Sequence, residues 1–504
     1  MPDTPRFPAA VYAETVLSVI FRDAQRFFLD ALLEIHYAHT LMLARQRIIP
    51  PEVAARCIQG LETLDRARLS SAPYDEQVED LFFYVERELE RVCGVENAGR
   101  MHTARSRNDI DITLYRMRVR VEILELVRSL SSVRRVLIDL ARRHVNTLMP
   151  AYTHTQPAQP ITFAHYLLAA IELFGRDEQR LQAAFITVNR SPLGACAIST
   201  TGFPIDRYYT AQLLGFDGLQ LNSYGAISAT DYVTETCGAV ATAMVNVGRI
   251  AQDFLLWSTA EFGYLRLSDA WVQISSIMPQ KRNPVPLEHI RVLASKALAQ
   301  SQGVFTALHN TPFGDINDAE DDLQPLVFSA TEDAIRATRL LAGVMADCHV
   351  NEARMRERAN SSFLTVTELA DTLVRTEYIS FREAHHLVAA AVKHLDGFYS
   401  PAAMVDAVTS LAPSNLSRPL QADRAVLLRA LDPVNFVNVR RVPGGPEPRQ
   451  VISAIEESEA HLRATERWIT ERASQLDAYP RQILSACEEL LSAPVRGEPA
   501  PQQL

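Results

Sequence analysis

Residues 113–149 read TLYRMRVRVEILELVRSLSSVRRVLIDLARRHVNTLM, with neither Pro nor Gly. Ile123, Leu126, Leu130, Val133, Leu137 and Leu140 recur at three- and four-residue steps, so one helix face carries a continuous apolar stripe. The spacing predicts a single long helix over 113–149, stopped by Pro150, which lacks the amide hydrogen that another turn would need. So long a stripe is buried only against helices of similar length, which points to a bundle.

The sequence on either side supplies those partners. A second helix-length run goes from Thr162 to Asn189 and ends at the turn Ser191-Pro192-Leu193-Gly194. A third goes from about Ser228 to the neighbourhood of Phe262, with a face rich in Ala, Val and Met. A fourth opens at Pro284 and Pro286 and continues through Val304, and a fifth spans Leu326 to Cys348. Sustained strand alternation is scarce, so the fold class is all-α. Shorter, more broken helical patterns precede Arg100 and follow about Asn360. Three regions are expected: an N-terminal helical cap (1–112), a central long-helix bundle (113–360) containing a polar loop at 272–284, and a C-terminal helical cap and tail (361–504). Within the last, RVPGGPEPR (441–449) reads as an exposed loop and Ala493 to Leu504 as a frayed tail.

Composition agrees with this architecture. Nineteen glycines in 504 residues are about 4%, against a usual ~7%, and a chain short of glycine has few tight turns. The formal net charge of −10 argues against nucleic acid as a partner, yet leaves room for a local cationic pocket that takes a small dicarboxylate. Cys57, Cys93, Cys196, Cys237, Cys348 and Cys487 are scattered and never form C-x-x-C, as in a reducing compartment, and no metal site is expected. The longest apolar stretch, Ala239 to Trp257, is broken by Asn246, Arg249, Gln252 and Asp253, so no membrane span is expected. No signal peptide is visible, and a cytoplasmic location is the plain expectation.

Three polar clusters interrupt the helical pattern. His102-Thr103-Ala104-Arg105-Ser106-Arg107-Asn108-Asp109 packs hydroxyl, amide and guanidinium groups ahead of the long helix, a donor set suited to a carboxylate; standing alone it would read as an N-cap with surface ion pairs. Tyr152-Thr153-His154-Thr155-Gln156 places a titratable imidazole beside two hydroxyls, although a turn histidine bonded to backbone is the plainer reading of that string alone. Ser275-Ser276-Ile277-Met278-Pro279-Gln280-Lys281-Arg282-Asn283-Pro284 leads into the fourth helix, with Glu288 in its first turns. Such a loop polarises a carboxylate whose α-proton is being removed.

The third string, SSIMPQKRNP, closely resembles the signature loop of the fumarase/aspartase superfamily, and the other strings narrow the branch. HTARSRND, YTHTQPAQPITFAHYLL, SPLGACAI and, at Leu369 to Val388, LADTLVRTEYISFREAHHLV resemble blocks of the argininosuccinate lyases in the same order. The resemblance implies an all-α homotetramer with a twenty-helix core, active sites combining clusters from three subunits, and β-elimination of fumarate from an N-substituted aspartate without metal or organic cofactor. It implies Ser275 as general base, Lys281 and Asn283 as stabilisers of the aci-carboxylate, and Ser106, Arg107, Asn108 and Thr153 as holders of the substrate carboxylates. Ser276 belongs to the same closing loop. His154 with Glu288 resembles the family's proton-donating pair, and Asp23 and Gln156 match pocket-shaping positions.

Departures from the family pattern concern loop and amine pocket. Ile274 stands where a glycine usually precedes the two serines, and Val285 where an acidic residue is usual. GDINDAEDDLQPLVF puts Asp315, Glu320 and Leu323 where the family has a tyrosine, a glutamine and a lysine, and Thr230 replaces an arginine. Two gained carboxylates and two lost cations favour a cationic amine, in a branch where ethylenediamine-disuccinate lyases are siblings. The rival readings are a non-catalytic structural helical oligomer, against which the complete polar loops speak, and a fumarase- or adenylosuccinate-lyase-like enzyme, which ARSRND and THTQ disfavour.

Overall fold

The computed structural model describes residues 7–492, so the first six residues and the tail 493–504 lie outside it. Five long helices carry the architecture: α1 (Arg107–Arg143), α2 (Phe163–Val188), α3 (Asp231–Trp257), α4 (Val285–Leu308) and α5 (Gln324–Ala346). Each packs on the next, and α5 returns against α1, closing the ring. The α1 stripe is fully enclosed, with Ile123, Leu126, Leu130, Val133 and Leu137 at 0% exposure. At about 1.5–3 kcal/mol per buried aliphatic side chain, that stripe alone explains why the helix does not bend away.

The boundaries of α1 differ from expectation at both ends. It starts at Arg107 because Ser106 caps it and Asp109 closes a capping box by accepting from the Ser106 amide at 3.0 Å. It ends at Arg143, short of Met149. His144 leaves the helical region with φ −116° and ψ 25°, and its Nδ1 lies 2.9 Å from the Thr147 hydroxyl. The following residues then enter an antiparallel hairpin, β1 (Leu148–Thr153) and β2 (Gln156–Thr162), in which Leu148 pairs with Thr162. Pro150 is therefore a strand residue, paired with Pro160, and not the stop of the helix.

One large hydrophobic core runs from Phe21 to Met355 and then takes Val451, Ile455, Leu462, Ile469, Ile483 and Cys487 from the last helix, Pro448–Ser492. A smaller core, including Leu369, Leu387, Val408 and Leu427, is held by the helices Val366–Glu377, Phe381–His394, Pro401–Leu416 and Arg424–Ala430. The last helix is tied in by polar bonds too. Arg134 of α1 donates to the buried Glu178 of α2, and Thr465 donates to the same carboxylate at 3.0 Å. Among the described residues no helix is long and apolar enough to cross a membrane.

Candidate active site

The HTARSRND cluster sits at the N-terminus of α1, and its shape follows from the cap. Asp109 is fully buried and accepts from the Gly194 amide at 2.7 Å and the Cys196 amide at 2.9 Å, so the SPLGAC turn is locked to the cluster 85 residues upstream. Burial pushes the Asp109 carboxyl up to about 6 against the pull of these two amides and of the Ser106 amide. Arg107, Asn108 and Asp111 then project from the first turn. The Arg107 guanidinium meets Asp80 at 3.0 Å and Glu79 at 3.2 Å.

A cleft of about 410 Å³ opens over this turn. Ser106, Arg107, Asn108 and Asp111 line one side, and Asp315, Asn317 and Glu320 line the other. The two sides touch: Asn108 Nδ2 donates to Asp315 Oδ2 at 2.6 Å and to the Ala197 carbonyl at 3.2 Å, while its Oδ1 accepts from the Ser106 hydroxyl at 2.9 Å. The far side is anchored beneath. Tyr115 of α1 donates to Asp321 at 2.7 Å, and Tyr224 donates to the Phe313 carbonyl at 2.9 Å while packing on the Phe313 ring. Burial, and then the facing Asp315 carboxylate, pushes Glu320 up to about 7, with Arg107 pulling the other way. Burial also holds Asp111 well above the carboxylate range, and Asp321 adds to it. Asp23, on the helix Ser18–Phe27, is half-buried at the margin of this acidic ground, and its pKa is raised by burial and by the nearby Asp322. Leu323 is buried in the main core and gives the cleft no polar group.

The second cluster is the tip of the β1–β2 hairpin. His154 and Thr155 form its two-residue turn with φ of 51° and 62°, the left-handed geometry that suits the twist of a tight hairpin and that few non-glycine residues adopt. Thr153, His154, Thr155 and Gln156 are all exposed, so the turn presents the imidazole outward.

The third cluster is a loop pinched by a short ribbon. β3 (Gln273–Ile274) pairs with β4 (Arg282–Asn283), and Asn283 Nδ2 donates to the Gln273 carbonyl at 3.0 Å. Between them, Ser275 Oγ accepts from the Met278 amide at 3.1 Å and the Ile277 amide at 3.4 Å. Ser276 and Lys281 are exposed, as is Glu288 in the first turn of α4. Ile274 is 76% exposed and has no left-handed backbone, so nothing local demands a glycine there.

A single chain thus unites Ser106, Arg107 and Asn108 with Asp315 and Glu320. Among the described residues, no hydrogen bond or ion pair joins that cleft to His154, to Ser275 or to Lys281. Sequence reasoning did not single out Asp111, Asn317 or the buried Asp109. The i, i+4 spacing of Arg107 and Asp111 was the available signal for the first. Among the described residues no group of three or more His, Cys, Asp or Glu side chains is arranged to hold a metal ion.

Known proteins resemble this chain along most of its length. A family profile described as Lyase matches residues 23–299, and one described as Argininosuccinate lyase C-terminal matches residues 363–438. Argininosuccinate lyase 2 of Agrobacterium fabrum is 42% identical over 474 residues, covering 92% of this chain and 93% of that one. Argininosuccinate lyase of Methanoculleus marisnigri is 38% identical, covering 92% of this chain and 94% of the relative. Among solved structures, an EDDS lyase in complex with formate superposes with a TM-score of 0.86 at 31% identity, covering 93% of this chain and 92% of the other. An EDDS lyase variant with bound fumarate gives 0.84 at 30% identity with the same coverages. With five sequence blocks in order, the all-α bundle they imply, and relatives matched along nearly their whole length, the chain belongs to the argininosuccinate lyase family of carbon–nitrogen lyases, within the fumarase/aspartase superfamily.

Proposed function

We propose that this chain eliminates fumarate from an N-substituted L-aspartate, argininosuccinate or a related N-succinyl amine, with Ser275 as the base. The base removes a Cβ proton, the Cα–N bond breaks, its electron pair leaves on nitrogen, and the amine takes up a proton. The observation that carries the assignment is the pair of backbone amides donating to Ser275 Oγ. Hydrogen bonds to the charged form favour it, so they lower the cost of an alkoxide that an isolated serine could not sustain. Lys281 in the same loop adds positive charge, and with Asn283 it stabilises the aci-carboxylate. Ser106, Arg107 and Thr153 hold the carboxylates, Asn108 orders the cleft through its amide bonds to Asp315 and Ala197, Ser276 closes with the loop, and Asp23 and Gln156 shape the pocket. His154 with Glu288 protonates the leaving nitrogen.

The three clusters act together in a homotetramer, each site drawing on three subunits. Two observations support this. The clusters are not joined within one chain, and a groove of about 610 Å³ between α2, α3 and α4 is lined by Tyr166, Leu173, Met244, Ile250 and Leu298, with Val245 44% exposed beside it. The six cysteines are all free thiols, which supports a reducing, cytoplasmic setting. Release of fumarate, followed by its ultraviolet absorbance, tests the assignment. Ser275→Ala should lower kcat at least ~100-fold, a typical general-base loss, with an unchanged circular dichroism spectrum. A variant retaining near-normal kcat would remove Ser275 from the role.

A further inference from the structure

The cleft over the first turn of α1 is asymmetric in charge. Arg105 and Arg107 line it, against Asp111, Asp315 and Glu320. Both guanidiniums have acidic partners outside the cleft's far wall. Arg107 meets Asp80 and Glu79, while Arg105 lies 3.5 Å from Glu86 and 2.8 Å from His36 Nδ1. Asp315 and Glu320 have none. Among the described residues no Lys, Arg or His forms an ion pair with either, and Asp315 accepts from the neutral Asn108 amide while meeting the Glu320 carboxyl. Leu323, buried in the core, brings no cation to that wall.

On the opposite side Arg105 is enclosed, with 0% of its side chain exposed, and its Nε has no hydrogen-bond partner. Arg107, by contrast, keeps 31% of its side chain exposed, so its guanidinium is open to a ligand in the cleft as well as to Asp80 and Glu79. The cleft therefore offers an anion-accepting side beside Ser106 and Arg107 and a cation-accepting side at Asp315 and Glu320. A ligand bridging the two carries a carboxylate at one end and a positive charge at the other.

We propose that Asp315 and Glu320 are specificity-determining residues that select a leaving amine bearing a second cationic group, ammonium or guanidinium, with no carboxylate beside that group. This deepens the lyase assignment above and rests on it. Asn108 is a positioning residue for the selection. Both donors of its amide are already spent, one on Asp315 and one on Ala197, so its bond fixes the Asp315 carboxylate toward the cleft. A carboxylate on the amine, as in an α-amino acid, meets two acidic side chains that have no ion-pair partner of their own, and like-charge juxtaposition disfavours it.

The reverse reaction reads this directly. With fumarate saturating, initial rates of adduct formation are measured for agmatine, 1,4-diaminobutane and arginine. Agmatine is arginine without its carboxylate, so that pair isolates the effect of the one group. Agmatine or the diamine should exceed arginine in kcat/KM by at least ~10-fold, about 1.4 kcal/mol. Asp315→Asn and Glu320→Gln should each raise the amine KM several-fold while leaving the fumarate KM within about twofold, a split that general structural damage would not give. Arginine adding as well as agmatine, or both variants leaving the amine KM unchanged, overturns the selection while the lyase assignment stands. No adduct from any amine, together with no fumarate from argininosuccinate, overturns both.

Discussion

At the scale of single residues, burial raises the pKa of several carboxyl groups around the cleft. Glu320 is the clearest case, with its pKa raised to about 7 by burial, Asp315 and Asp321, while Arg107 opposes. A carboxyl whose folded pKa lies above its unfolded value contributes stability that is fully present below the unfolded pKa, near 4.5, and lost as pH rises through about 7. Glu320→Gln removes that loss. The melting temperature of the variant relative to the parent should therefore rise between pH 5 and pH 8, and a difference that stays flat across that range would mean Glu320 ionises freely. How much of this could be read beforehand varies by residue. Ser275, Lys281 and Asn283 lie within nine positions of one another, so their association was written in the chain. Asn108 and Asp315 are separated by 207 residues, and no spacing rule joins them; only the family resemblance brought both to notice. The lone carboxylate Asp111 went unremarked because an i, i+4 partner of an arginine is usually a surface pair.

At the scale of elements, the long helices were legible because apolar residues repeating at helical spacing over six turns or more suit only a helix packed along its whole length. The β1–β2 hairpin was not. Its strands contain Pro150, Pro157 and Pro160, residues that ordinarily argue against a strand, and its turn uses His154 and Thr155 where Asn-Gly would be the signal. The missed hairpin also explains the misplaced end of α1, since Leu148 and Met149 satisfy their backbone across β2 instead of up the helix. The β3–β4 ribbon makes a further prediction. Ile274 pairs with Arg282 at the base of the Ser275 loop, and a β-branched residue stiffens such a strand where glycine would loosen it. Ile274→Gly should speed proteolytic cleavage within 275–281 and change kcat and KM together, as hinge substitutions do. Identical cleavage rates and kinetics would show that the ribbon does not govern the loop.

At the scale of the whole molecule, the separation of the clusters has a consequence that can be weighed in a test tube. If each site draws Ser275 and Arg107 from different subunits, two inactive proteins, Ser275→Ala and Arg107→Ala, should regain activity when unfolded together and refolded as a mixture. Some sites in mixed tetramers then receive neither substitution, so up to about a quarter of parental activity is expected for random assortment of subunits. A mixture as inactive as its components would place every catalytic group in one chain.

The path of the last helix carries a different consequence, one of timing. The large core opens with Phe21 but takes its final buried side chains from Val451 to Cys487. A ribosome making this chain therefore emits nearly all of it before that core can close, at about 5–20 residues per second. The small core, from Leu369 to Leu431, is complete sooner after its own first residue appears. For many seconds the nascent chain carries one finished module behind an unfinished one. Through that interval the part of α1 that packs on the last helix lacks its partner, although α2 and α5 are already made.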